Sequence, residues 1–176
     1  KKATPIFGDA TLSAQIGTTD SNYQKTYRLT EKLTSVDGTS YYLLFDNQKN
    51  KIGYIAASAL SDPDKTSIAG TWLKAEGYAS NLKASGKFFR NRELTSFRSL
   101  GNYLGKTIKI NGKYHHFNGQ TYYSVYANNG TWLGYLDAAS ATLTQTKEGS
   151  YQKINQYVSI TQNYYDVWND FWNKNT

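Results

Sequence analysis

The chain of 176 residues contains no cysteine and no methionine. Disulfides, thiol catalysis and cysteine-held metals are thereby excluded, and packing alone must hold the fold together. Only two prolines occur. No apolar run approaches the ~20 residues that a membrane-crossing helix needs, so a soluble fragment without membrane insertion is expected. Histidine is confined to the adjacent pair His115 and His116. Neighbours on a strand point to opposite faces, which makes this pair a poor joint metal site. The 13 carboxylates are scattered, and no glycine-rich phosphate loop is found. The expectation is a chain that is not an enzyme, with no metal and no cofactor. The opening Lys1-Lys2-Ala3 carries no signal peptide and reads as the start of an excised fragment.

Acid is scarce in one stretch. Between Gly77 and His116 lie Lys83, Lys87, Arg90, Arg92, Arg98, Lys106, Lys109 and Lys113, eight cations against the single acid Glu93. That stretch accounts for the whole net charge of +7, the remainder having 12 basic and 12 acidic residues. A field of this kind attracts polyanions and speeds their encounter. A phosphate polymer, nucleic acid, an acidic glycan and anionic lipid all qualify, and so does the bland reading of a solvated, charged face.

What the chain has in quantity is aromatic side chains, 15% of all residues, with 16 tyrosines among them. They are arranged in a repeat. Residues 38–58 read GTSYYLLFDNQKNKIGYIAAS, and 81 positions later residues 119–139 read GQTYYSVYANNGTWLGYLDAA, aligned without a gap. From 23–60 against 104–141 there are ten identities in 38 positions. Each copy carries a Tyr-Tyr pair, a short apolar run, a polar turn and an aliphatic-Gly-Tyr-aliphatic signature: Ile52-Gly53-Tyr54-Ile55 and Leu133-Gly134-Tyr135-Leu136. Self-similarity at a fixed spacing is the first thing to settle, because it dictates the architecture. It predicts two small modules, 1–61 and 67–145, joined by a linker at 62–66. The tail, 146–176, is either the start of a further repeat or an extension packed on the second module. Its aromatic run from Tyr164 to Trp172 also has helical spacing.

Local patterns predict strands throughout and no convincing helix. Residues 1–22 read as one strand and a long loop. Tyr27 and Leu29, Tyr41 to Phe45 and Ile52 to Ile55 read as strands separated by turns at Asp37-Gly38 and 46–50. In the second copy, Asn111-Gly112, Asn118-Gly119 and Asn129-Gly130 all read as hairpin turns, Asn-Gly being the strongest local hairpin signal. The basic stretch from Lys83 to Arg98 reads as a long loop flanked by short strands.

Gly-Tyr between aliphatic residues, after a Tyr-Tyr strand, resembles the signature of the GW modules. These are SH3-like repeats of secreted bacterial autolysins and surface proteins. The resemblance covers about 40 residues of each copy, and both copies carry Tyr where the family has Trp. It implies an all-β fold of two tandem SH3-like barrels. It also implies a secreted, cell-wall-associated role in which the region anchors a larger protein through teichoic or lipoteichoic acid; absence of cysteine fits such a setting. Linked modules suit a repetitive polymer, since the second site acts at raised effective concentration.

The ligand-binding candidates are therefore rings that could stack on sugars and cations that could pair with phosphate. The rings are Tyr54, Tyr135, Trp132, Tyr41, Tyr122 and Tyr126. Strand alternation puts Tyr42 with Leu44 and Tyr123 with Val125 inside, leaving Tyr41, Tyr122 and Tyr126 as the exposed rings. The cations are Lys83, Lys87, Arg90, Arg92, Arg98, Lys106, Lys109 and Lys113. Alternatives are a neutral glucan-binding region of a secreted glycosyltransferase and, further behind, single-stranded nucleic-acid binding. A monomer is expected.

Overall fold

The computed structural model describes residues 3–159. Its strands form two antiparallel sheets. The first contains β1 (Pro5–Phe7), β2 (Gln15–Thr18), β3 (Arg28–Thr34), β4 (Ser40–Phe45) and β5 (Lys51–Ala56), in the order β2-β1-β5-β4-β3. The second contains β6 (Leu73–Ser80), β7 (Lys87–Phe89), β8 (Phe97–Ser99), β9 (Ile108–His115), β10 (Thr121–Tyr126), β11 (Trp132–Asp137) and β12 (Thr142–Thr144), in the order β12-β6-β9-β10-β11-β7-β8. Helical residues among those described form only 3-10 turns of three or four residues. The protein is all-β, with the short, hairpin-joined strands expected of an SH3-like build.

The register recurs at the spacing of the sequence repeat. In the first sheet Tyr42 pairs with Lys32 and Ile55; in the second, Tyr123 pairs with Lys113 and Leu136. The interruptions recur too. Thr30 is the extra residue between β3 and β4, and Asn111 is the extra residue between β9 and β10. The two glycines of the Gly-Tyr signature share one geometry. Gly53 has φ +127° and Gly134 φ +137°, and a Cβ at either would lie 2.6 Å from a carbonyl oxygen of the next strand, that of Phe7 or Phe89. Only glycine fits such a close approach in this conformation. Both signature glycines therefore permit the pairing that joins β5 to β1 and β11 to β7.

Three expectations need correction. Asn111-Gly112 is not a turn: β9 runs through it from Ile108 to His115. The pair sits at a bulge, where an extra residue bends a strand without ending it. Residues 1–22 hold two paired strands instead of one strand and a loop. The basic stretch is no long loop, because its own strands β7 and β8 pair as a hairpin inside it. Its buried Phe88 is drawn into the core of the second sheet, whose other members include Ile108, Ile110, Val125, Leu133 and Leu136. The turns at Asn118-Gly119 and Asn129-Gly130 are present, with both glycines at positive φ. The first sheet has a smaller core of Ile6, Leu44 and Ile55. Residues Tyr164 to Trp172 lie outside the described residues, and so does the expectation made for them.

Candidate functional site

Alternation along β10 sorts its side chains. Tyr123 and Val125 face the core of the second sheet, as expected, and Tyr42 packs with Leu44 in the first. Tyr122, Ser124 and Tyr126 take the opposite face. Their cross-strand partners share it: Tyr114 and Asp137 beside Tyr122, Gly112 and Tyr135 beside Ser124, Lys109 and Trp132 beside Tyr126.

These rings are in contact. Trp132 meets Tyr135 edge to face at 5.3 Å, and Tyr135 meets Tyr114 at 5.6 Å. Tyr122 meets Phe89 at 5.7 Å, and Phe89 meets Phe97 at 6.0 Å. Such pairs favour T-shaped geometry, because the positive edge of one ring meets the negative face of the next. The result is an aromatic surface across five strands, β9, β10, β11, β7 and β8. One part of it is covered. Ala69, Arg92, Leu94 and His116 enclose Tyr114, Tyr122 and Tyr135, and the Phe117 amide donates to the Ile68 carbonyl at 2.9 Å. Tyr122, expected among the exposed rings, is therefore 6% exposed. The correction has a simple cause, since period-2 alternation separates two faces but does not say whether the second is covered. The Trp132 end and the Phe97 end remain open, at 38% and 53% exposure.

The structure gathers some of the candidate residues and separates others. Tyr122, Tyr126, Trp132, Tyr135, Lys109 and Arg92 belong to the aromatic face. Lys87 extends it, with Nζ 3.9 Å from the centre of the Phe97 ring, a cation-π contact. Lys113 pairs with Tyr123 and lines a different cleft of about 250 Å³ with Lys74, Glu76, Tyr78 and Ile110. Arg98 is held within the fold: one Nη donates to the Leu133 carbonyl at 3.1 Å and the guanidinium lies over Phe88. Lys106 covers Tyr103. Lys83 and Arg90 are exposed on either side of β7.

Tyr41 and Tyr54 lie in the first sheet. Tyr54 is 5% exposed, and its hydroxyl donates to Glu31 Oε2 at 2.9 Å. Lys51 Nζ lies over that ring and donates to the Gly8 carbonyl at 2.7 Å. Tyr41 packs edge to face on Phe7. The first sheet thus closes with polar bonds the face that the second leaves aromatic. The sequence reading missed Trp72, Tyr114, Phe89 and Phe97. Tyr114 lies within the repeat, where the first copy has Leu33, whereas Phe97 lies outside it and is placed only by the pairing of β7 with β8.

His116 introduces a pH dependence. Its Nδ1 accepts from the Asn118 amide at 3.0 Å, and Nε2 is buried without a hydrogen-bond partner among the described residues. Burial, the largest effect, holds its pKa below the ordinary histidine value, against weaker opposition from Asn118, the Arg92 backbone and Glu93. His115 is lowered as well, by burial and then by Lys113. The neutral rings are favoured in the folded state, so their contribution is complete above the unfolded histidine pKa of about 6.5. It falls as pH drops from there toward the lowered folded values. We expect urea midpoints to fall between pH 7.5 and pH 5, and the fall to shrink in His116→Gln. An unchanged pH dependence in that variant would remove His116 as the cause.

Fold and site together define an all-β protein with an aromatic surface edged by cations. No protein-family model matches the sequence. No curated protein matches it either. Among solved structures, the chain is similar to a crystal structure described as a "putative autolysin from Listeria monocytogenes", with a TM-score of 0.36 and 18% identity. The match covers 80% of this chain and 58% of that one.

Proposed function

We propose that this chain is a non-catalytic region that binds the bacterial cell wall and anchors a secreted autolysin or surface protein to the envelope through teichoic or lipoteichoic acid. The observation that carries the reading is the aromatic face of the second sheet, open at Trp132 and at Phe97 and edged by Lys109 and Lys87. Rings offer apolar faces to sugars, and ammonium groups offer charge-assisted hydrogen bonds to phosphate. The protein works as a monomer, outside the cell, and divides into modules at 1–61 and 67–145.

Retention on purified cell walls tests this directly. Extraction of teichoic acid should abolish retention of the full chain, and equal retention before and after would remove teichoic acid as the ligand. Salt gives a second measurement. Binding driven by phosphate should weaken steeply as salt rises, because each pairing releases condensed counterions. Lys109→Glu should weaken binding about tenfold or more, the scale of one charge-assisted hydrogen bond. Lys113→Glu, on the opposite face, should change it little. Equal losses in the two variants would mean that the aromatic face is not the binding surface.

A neutral polysaccharide is the second reading. It is favoured by the open Trp132 ring, 38% exposed and flanked by Tyr135, which offers a stacking surface that needs no charge. Binding that is indifferent to salt would select it.

A further inference from the structure

Trp72 lies just before β6 and is 49% exposed. Its indole is seated on Gly112. A Cβ built there would lie 2.7 and 2.9 Å from Trp72 Cε2 and Cζ2, and nearer still to Nε1. With the ring in this position only glycine fits beneath it, and a larger residue would displace the indole. Gly112 is the register partner of Ser124, and the Ser124 hydroxyl oxygen accepts a hydrogen bond from Trp132 Nε1 at 3.1 Å. Paired residues on adjacent strands send their side chains to the same face. Both indoles therefore stand on one face above two neighbouring residues. Trp132 is held by the hydrogen bond and the edge of Tyr135, and Trp72 rests on the glycine beneath it.

We infer that Trp72 and Trp132 form a stacking platform for a pyranose ring, with the Gly112–Ser124 pair as its floor. This rests on the polymer-binding reading above and names the sugar-binding part of that surface. A pyranose presents an apolar face of C–H groups ringed by hydroxyls. Indoles, with only two side-chain torsions each, bury that face at little cost in side-chain freedom. The rim suits the hydroxyls: Tyr126 and Lys109, the residues paired in register beside Trp132, supply a hydroxyl and an ammonium. A nucleic-acid strand could stack on the same rings, and oligo-dT tests that outcome.

The first sheet lacks the platform. Glu31 stands where the second sheet has Gly112, and Lys51 stands where it has Trp132, as the equivalent pairings show. The Glu31 carboxylate there accepts a hydrogen bond from the Tyr54 hydroxyl. Stacking of sugars is accordingly a property of the second sheet alone.

The sugar could come from a glycosylated teichoic polymer or from a neutral glucan, and the probes separate the two. Calorimetric titrations of the full chain would use glucosylated poly(glycerol phosphate), the same polymer without sugar, dextran and oligo-dT. At least one sugar-bearing probe should bind, and both Trp72→Ala and Trp132→Ala should weaken it about tenfold. Gly112→Ala, which displaces Trp72 without removing it, should do the same. Lys51→Ala should have no effect, and the unsubstituted polymer should not respond to either tryptophan change. Near-ultraviolet circular dichroism and urea midpoints establish that each variant folds. The platform is overturned if folded tryptophan variants bind every sugar probe like the wild type, if no sugar probe binds, or if oligo-dT alone loses affinity. Wall retention distinguishes the two inferences. A double tryptophan variant that binds both sugar probes and wall like the wild type ends the platform and leaves the anchoring role; absence of wall binding by the wild type ends the anchoring role and leaves the sugar titrations to decide the platform.

Discussion

Alanine in place of Gly134 is expected to destabilise the protein by about 3 kcal/mol or more, the sum of a strained dihedral and a backbone clash. The added Cβ would lie 2.6 Å from the Phe89 carbonyl oxygen, at a φ of +137°. Relief requires β11 to move away from β7, and that pairing aligns Leu136 with Phe88 in the core. Gly53 faces the same obstacle, with the Phe7 carbonyl at 2.6 Å and Ile6 Cγ2 at 2.7 Å. Gly130 is the control. It also has positive φ, at +83°, but a Cβ there meets nothing within 4 Å. Gly130→Ala should cost only about 1 kcal/mol, the conformational part alone. Urea midpoints of the three variants measure this, and equal losses at positions 130 and 134 would show that the close approach is not what the signature glycine serves. The Gly-Tyr signature is read here as a device that joins strands, with ligand contact a separate property of its neighbours.

Phe88→Ala should have an effect of similar or greater size, about 3–5 kcal/mol, as expected for truncating a fully buried phenylalanine. The ring is 0% exposed, Tyr103 meets it edge to face at 5.7 Å, and the Arg98 guanidinium caps it at 5.5 Å. Removing the ring leaves a cavity and takes away the surface on which Arg98 rests, with its Nε already buried and without a hydrogen-bond partner among the described residues. A loss below about 1 kcal/mol would mean that the neighbours collapse into the space, contrary to a close-packed core. Conserving volume with Phe88→Leu should recover much of the loss.

The legible part of the fold was the part written twice. Tyr41-Tyr42 and Tyr122-Tyr123 fixed which rings alternate, and the gapless spacing of 81 carried over into the pairing of three strands in each sheet. The one turn misread in the second copy had a warning in the first. Asn111-Gly112 stands opposite Thr30-Glu31, which has no turn chemistry, and a hairpin in one copy alone would have broken the shared register. Local dipeptide preference lost to long-range pairing at that point, because β9 is held on both sides, by β6 and β10.

The candidate surface was legible only in fragments. Trp132, Tyr126 and Lys109 were each singled out, but nothing local says that they share a row. Trp72 was passed over because it precedes the strands of its sheet and has no counterpart at the repeat spacing.

The sequence by itself determined that the chain is built of short strands, that its core alternates with period 2, and that turns fall at Asn118-Gly119 and Asn129-Gly130, since these depend on neighbours a few residues apart. Tertiary structure decided which face of the second sheet is covered and which ring stays open. That choice rests on contacts between distant segments: Ala69, Arg92 and Tyr122 line one small pocket, while Trp72 finds its place where Gly112 leaves a gap.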